Sequence, residues 1–235
     1  MNPPTPADFR PYAGLAWRLV EGQHRISTNR LTDSGADQAR LETLLESAKP
    51  HLPAAAQHLP WLLASPFRYG HASASRFRAA HEKPGIFYAA DNAVTPIWES
   101  AYHRLRFFAR APGATPPTGA VDHSLFNVPI RTDRLLDLTL PPFDKERWTH
   151  PDDYAPTQAF AAQARSIATA ALRAPSARHP GGITLPILDP AVFIGPPSIA
   201  ESWSFRHEGD TIVAIPAFPS TRLLRFTYAR FGLPA

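Results

Sequence analysis

The sequence predicts a mixed α+β fold with a split or curved central sheet and flanking helices. Strand signals fill its second half, helical periodicities alternate with strands in its first half, and its prolines rule out a helical bundle. Of 235 residues, 27 are proline, about twice ordinary usage, and they are scattered along the chain. Because proline is excluded from helix interiors and central strands, this scatter predicts short elements joined by long ordered loops. The length suits one core. We expect a single domain over residues 1–235, with a proline-rich leader at 1–14, a core over about 15–194 and C-terminal strands over 195–235.

Taken in order, Leu15 to Val20 reads as a first strand carrying Trp17 and Arg18. SGAD at 34–37 has the form of an N-cap with an acid at N3. Leu41, Leu44, Leu45 and Ala48 follow at helical spacing until Pro50, which predicts an amphipathic helix. Residues 50–63 (PHLPAAAQHLPWLL) predict a second, proline-interrupted turn that packs Trp61, Leu62 and Leu63 into the core. Gly85 to Ala90 (GIFYAA) is a short apolar run between turn residues, hence a buried strand. Thr95 then supplies an N-cap and Pro96 a first helical residue, with Ile97, Ala101, Leu105 and Phe108 on one face and Glu99 in the first turn. There a carboxylate also complements the helix dipole.

A loop at 111–119 precedes two strands, Val121 to Ile130 and Leu135 to Leu140, separated by a polar RTDR turn. After a second loop, Thr157 to Leu172 is alanine-rich with Phe160, Ala164, Ile167 and Ala171 in helical register. The remaining strands are predicted at Leu172 to Ala174, Ile183 to Leu188, Ala191 to Ile194, Ser202 to His207, Thr211 to Ile215 and Arg222 to Tyr228.

Several function classes lack their signals. No cysteine is present, which removes disulfides, thiolate metal sites and a cysteine nucleophile and suits a cytoplasmic protein. The N-terminus lacks the basic and apolar regions of an export signal, and no apolar run approaches the 18 or so residues of a membrane span. Ten histidines show neither H-x-x-x-H nor H-E-x-x-H spacing, so no metal is expected. G-x-S-x-G, G-x-x-x-x-G-K-[ST] and G-x-G-x-x-G are all missing. The net charge of +4 fits an anionic small molecule or an acidic partner as well as nucleic acid. The C-terminal RLLRFTYARFG alternates basic and aromatic residues, as single-stranded nucleic-acid binders do, but an edge strand explains it better, and no direct nucleic-acid contact is expected.

Pro66 to Phe108 concentrates the chemistry: Arg68, Arg76, Arg78, the aromatic Tyr88 and the carboxylate Glu99. Together with APSARHPGG at 174–182, which carries Ser176 and Arg178, this stretch brings in a family likeness. The LAWRLVEGQH opening, LETLLESAKPHLP, PFRY followed by SRFR, GIFYAADNAVTPIWESAYHR, and YAPTQAFAAQAR leading to APSAR resemble the longer members of the RES-domain family, in the expected order over residues 15–194. One departure is Ala74, where a glycine is expected before SRFR, and the segment after Phe193 is less familiar.

The resemblance implies a fold similar to ADP-ribosyltransferases and activity on NAD+ as substrate, without a metal. It also implies a role as the toxin of a bacterial toxin–antitoxin pair whose antitoxin carries an Xre-like helix-turn-helix domain. The acceptor of ADP-ribose is left open between water, phosphate and a protein side chain. Nicotinamide in NAD+ is already a cationic leaving group, so one carboxylate that stabilises the oxocarbenium-like sugar suffices, and Glu99 is the candidate. An arginine fork suits the pyrophosphate, with Arg76 first and Arg68 second, and Arg18 as a further cofactor-binding candidate. The Tyr88 ring could stack on a base while its hydroxyl bonds a ribose. Ser176 could hydrogen-bond the ribose or the nicotinamide amide; with no adjacent base it is not expected to be a nucleophile.

Overall fold

In a computed structural model, residues 3–22, 31–111, 113–143 and 146–234 are described. The first two residues of the leader, the end of the LAWRLVEGQH fragment, position 112 of the 111–119 loop and positions 144–145 of the following loop lie outside them.

The strands are β1 (Arg10–Glu21), β2 (Phe87–Ala90), β3 (Val121–Asp137), β4 (Ala171–Pro175), β5 (Ile183–Ile187), β6 (Ser198–Glu208), β7 (Thr211–Pro216) and β8 (Leu224–Thr227). The α-helices are α1 (Gly35–Ala48), α2 (Trp61–Arg68), α3 (Thr95–Arg110) and α4 (Ala155–Ser166). All eight strands form one mostly antiparallel sheet in the order β1-β2-β5-β4-β3-β6-β7-β8, and β1 also pairs with β3. The extra pairing closes a circuit β1–β2–β5–β4–β3, from which β6, β7 and β8 extend as an antiparallel flap. This bears out the mixed α+β expectation.

Three apolar clusters hold the sheet and helices together. Phe67 of α2 packs with Phe87, Phe126 and Ile187 inside the circuit. Ile97, Ala101 and Leu105 of α3, the face expected from periodicity, meet Trp203, Phe205, Ile212 and Phe226 of the flap. Phe160, Ala161 and Ala164 of α4 cover Leu136, Leu172 and the buried Trp148.

Several boundaries differ from expectation for identifiable reasons. β1 begins at Arg10, within the expected leader, because Arg10 to Gly14 find partners along β3. The RTDR segment is not a turn: Arg131 and Thr132 pair with Ala13 and Tyr12, and a bulge in β3 between Thr132 and Leu135 absorbs the extra residue, so β3 runs on to Asp137. α4 ends at Ser166 rather than Leu172, since Ala168 takes a positive φ of 59° and the chain turns into β4. Ala191 to Ile194 forms a 3-10 turn and one bridge to Ile130 instead of a strand. α1 is capped as expected, Ser34 Oγ accepting from the Asp37 amide, yet none of its residues is buried and Leu44 is 59% exposed. Trp61 likewise lies outside the core, beneath Lys49 and Arg68.

Phe87 is fully buried, with its ring centroid 5.1 Å from that of Phe193 and 6.3 Å from that of Phe126. Phe87→Ala should lower the unfolding free energy by about 3–5 kcal/mol in urea titrations. A loss under about 1 kcal/mol would show that the circuit's interior is not packed as described.

Candidate active site

β2 delivers Tyr88 and then turns through Asp91 and Asn92 into α3. The N-cap position of α3 is Val94, not Thr95, and the capping side chain comes from Asn92: its Oδ1 accepts from the amides of Val94 and Thr95 at 3.0 and 2.9 Å, and Thr95 is already helical and buried. Glu99 thus lies just past the first turn, where the helix dipole explains it poorly. Two strands away, β4 runs out at Pro175 and the chain folds back through a tight loop to β5, Ser176 N donating to Gly182 O. A Cβ on Gly182 would stand 2.6 Å from Thr95 Oγ1 and 2.5 Å from His179 Nδ1, so only glycine lets this loop close against the start of α3.

That closure places Ser176 Oγ 2.6 Å from Glu99 Oε1. A hydroxyl has one proton and two lone pairs. The Ser176 oxygen also accepts from the amides of Arg178 and His179, at 3.1 and 2.9 Å, so its proton goes to the carboxylate. Ser176, expected at the ribose or the nicotinamide amide, is buried, and its hydroxyl bonds Glu99 and two amides of its own loop.

Arg76 comes to the same strand end from a different segment. Ser75 and Arg78 exchange backbone hydrogen bonds and close a turn with Arg76 near its tip. Arg78 is a buried scaffold, donating to the carbonyls of His71, Ser73 and Ala79. Arg76 Nη2 reaches Pro175 O at 2.7 Å, whereas its Nε is buried without a hydrogen-bond partner. Burial lowers the pKa of Arg76 against the pull of Glu99.

The Tyr88 hydroxyl, expected at a ribose, has two protein partners. It accepts from Phe77 N at 3.1 Å and pairs with Ser75 Oγ at 2.8 Å, tying the arginine turn to β2, and burial raises its pKa. Its ring remains in the cavity wall. Arg68 leaves the site altogether, since Glu46 and the Pro50 carbonyl hold its guanidinium at 2.6 Å each.

Arg18, Arg76, Tyr88 and Glu99 line one cavity of about 310 Å³, with Arg106 and Arg178 also in its wall. Arg18 stacks on Phe87 and donates to Tyr88 O, and burial pulls its pKa down to about 10, so it stays charged at neutral pH. Arg178 lies 3.5 Å over the Tyr102 ring and donates to Pro151 O and Tyr154. None of the four arginines has a carboxylate ion pair among the described residues; the paired arginines, such as Arg68, Arg104 and Arg173, are elsewhere. Four guanidiniums thus surround one carboxylate, and the excess charge calls for an anion.

A second cavity of about 650 Å³ shares Arg18, Tyr88, His103 and Arg106 with the first. A third, of about 490 Å³, shares Ser100 and His103 and adds Glu21, Phe107 and Phe108. Arg106, whose Nε is buried without a partner, was not a candidate from sequence. The signal available was the spacing Glu99, His103, Arg106, which at i, i+4 and i+7 puts all three on the helix face opposite Ile97, Ala101 and Leu105. Among the described residues no group of three or more His, Asp or Glu could hold a metal ion, and no helix is long and apolar enough to cross a membrane.

A family model described as the RES domain matches residues 51–208, more than half of the chain. It spans Arg76, Tyr88, Glu99 and Ser176, while Arg18 lies before it. Among solved structures, the M. tuberculosis MbcT–MbcA toxin–antitoxin complex aligns over 85% of this chain and 88% of that chain, at 17% identity and a TM-score of 0.44. No curated protein sequence matches significantly.

Removing the Tyr88 hydroxyl should free the Phe77 amide and the arginine turn. Tyr88→Phe is expected to cost about 1–3 kcal/mol in urea unfolding and to speed hydrogen exchange at the Phe77 amide. Unchanged protection at Phe77 would mean that the turn is held by other contacts.

Proposed function

The chain belongs to the RES-domain family, and from that premise we propose that it is an NAD+-consuming toxin of a bacterial toxin–antitoxin pair, which cleaves the bond between nicotinamide and ribose. The observation that carries this reading is the cavity in which four arginines without carboxylate partners face the single carboxylate Glu99. A dinucleotide supplies what such a cavity lacks: two phosphates for the guanidiniums and a sugar that becomes cationic beside the carboxylate.

In this mechanism the Arg76 guanidinium takes a phosphate oxygen, with Arg18 and Arg106 completing the anion cradle. The Tyr88 ring, in the wall between two cavities, packs against a base or sugar. As the C–N bond lengthens, its electron pair leaves with neutral nicotinamide and positive charge develops on the ribose. Glu99, kept in one orientation by Ser176, stabilises that charge. Because Oε1 is already bonded to Ser176, the other oxygen of Glu99 is the one that faces the sugar. The closed strand circuit with its flap is read as an ADP-ribosyltransferase-like sheet. An Xre-like helix-turn-helix antitoxin is the proposed partner, in the cytoplasm.

A second reading, transfer of ADP-ribose to a protein, draws on the third cavity, which opens beside Glu99 through Ser100 and His103. Incubation with labelled NAD+ separates the two, since hydrolysis or phosphorolysis leaves no label on protein.

Purified wild-type protein should release nicotinamide from NAD+, and Glu99→Gln should slow that release about 10²–10³-fold while leaving the fold intact by circular dichroism. Expression of the variant should no longer arrest growth. Turnover by Glu99→Gln at the wild-type rate would remove the carboxylate from the mechanism.

A further inference from the structure

The three cavities meet at one side chain. His103 is common to all of them, one helical turn after Glu99 on the same face of α3. Its ring makes an edge contact with Tyr102, centroids 5.2 Å apart, and among the described residues neither of its nitrogens has a protein hydrogen-bond partner. Two other histidines have structural partners, and His207, whose ring nitrogens are buried without a partner among the described residues, lines none of the three cavities. His123 is buried and bonds Val121 O, and His179 bonds Thr95 Oγ1 while stacking on Trp98. His103 has no comparable structural duty.

We infer that His103 is the general base of the reaction, removing a proton from the acceptor as it attacks the ribose carbon beside Glu99. The inference rests on the NAD+ reading above and extends it. In the step, the glycosidic C–N bond breaks and its electron pair departs with nicotinamide. A lone pair on the acceptor oxygen or nitrogen forms the new bond to the same carbon, and the acceptor's proton passes to an imidazole nitrogen of His103. Glu99 has no need to act as base, because its charge is used on the developing cation and one of its oxygens is held by Ser176. A base one turn away, where the third cavity joins the first, faces the side from which an acceptor can approach without crossing the arginine cradle.

The surroundings suit the task. His103 is exposed at the mouth of the cleft, where an imidazole is mostly neutral at neutral pH and able to accept a proton; desolvation on its inner side and the nearby Arg178 and Arg106 lower its pKa further, against the pull of Glu99. Other charged or titratable groups lining the first two cavities with it are Arg18 of β1, Tyr69, His71, Arg76 and Arg78 of the segment before β2, Tyr88 of β2 and Tyr154 at the start of α4. Toward the third cavity it meets Glu21, Arg104 and His123.

The test is steady-state nicotinamide release by wild type, His103→Ala and His103→Gln across pH. Protonation of the base removes its function, so wild-type kcat should fall as pH drops below about 6.5. Both variants should lose about 10²-fold or more in kcat, with KM for NAD+ within about threefold, and should lack that acidic limb. Added imidazole should restore part of the rate to His103→Ala and none to wild type. Variants with kcat within about twofold of wild type, or an acidic limb that persists in both, would overturn the assignment of the base and leave the NAD+ reading standing. Absence of nicotinamide release from wild type at every pH would instead overturn the NAD+ reading and this inference with it.

Discussion

The hydrogen bond from Ser176 to Glu99 is the contact on which the site depends, because it joins two segments 77 residues apart in sequence. It forms only if β4, β5 and β2 lie side by side, if Asn92 starts α3 at the right residue, and if Gly182 lets the loop after β4 approach Thr95. Each condition is local, and the sheet combines them. The serine hydroxyl is fully committed, two amides in and one proton out, so the carboxylate has a fixed partner before any ligand arrives. Such preorganisation is what a group needs if it is to meet developing charge without first rearranging.

Around that contact, the fold places cations where no protein anion balances them. Desolvation of Arg18 and Arg76 costs free energy that a surface arginine would not incur. Hydrogen bonds to Tyr88 O and Pro175 O, and stacking on Phe87 and Phe77, offset part of it. In the proposed mechanism the remainder is offset when a phosphate enters, which would give an anionic ligand an affinity that surface arginines could not provide. The same logic separates Arg76 from Arg78, two residues further on and wholly used by backbone carbonyls, and from Arg68, neutralised by Glu46.

Much of this was legible in the sequence, and the failures have physical causes. Periodicity found α3 and its buried face, and the SGAD motif found the cap of α1, because both are local properties. It could not tell that the leucines of α1 stay in water, since burial depends on what the rest of the chain brings to that side. Tyr88 and Ser176 were singled out, but not the protein contacts of their hydroxyls: the partners, the Phe77 amide for one and Glu99 for the other, are fixed by tertiary contacts with no sequence signature. Arg106 and His103 were missed although their spacing from Glu99 was plain, because polar residues opposite an apolar face ordinarily meet solvent and only the sheet turns that face into a cavity wall.

The central claim is that the arginine-lined cavity is a dinucleotide site built around Arg76. Calorimetric titration of NAD+ into the Glu99→Gln protein, which should bind without consuming the ligand, tests it directly. Saturable binding is expected at one site, weakened about tenfold or more by adding Arg76→Ala and weakened further as salt rises. No saturable heat at millimolar NAD+, or an affinity unchanged by Arg76→Ala, would contradict the account.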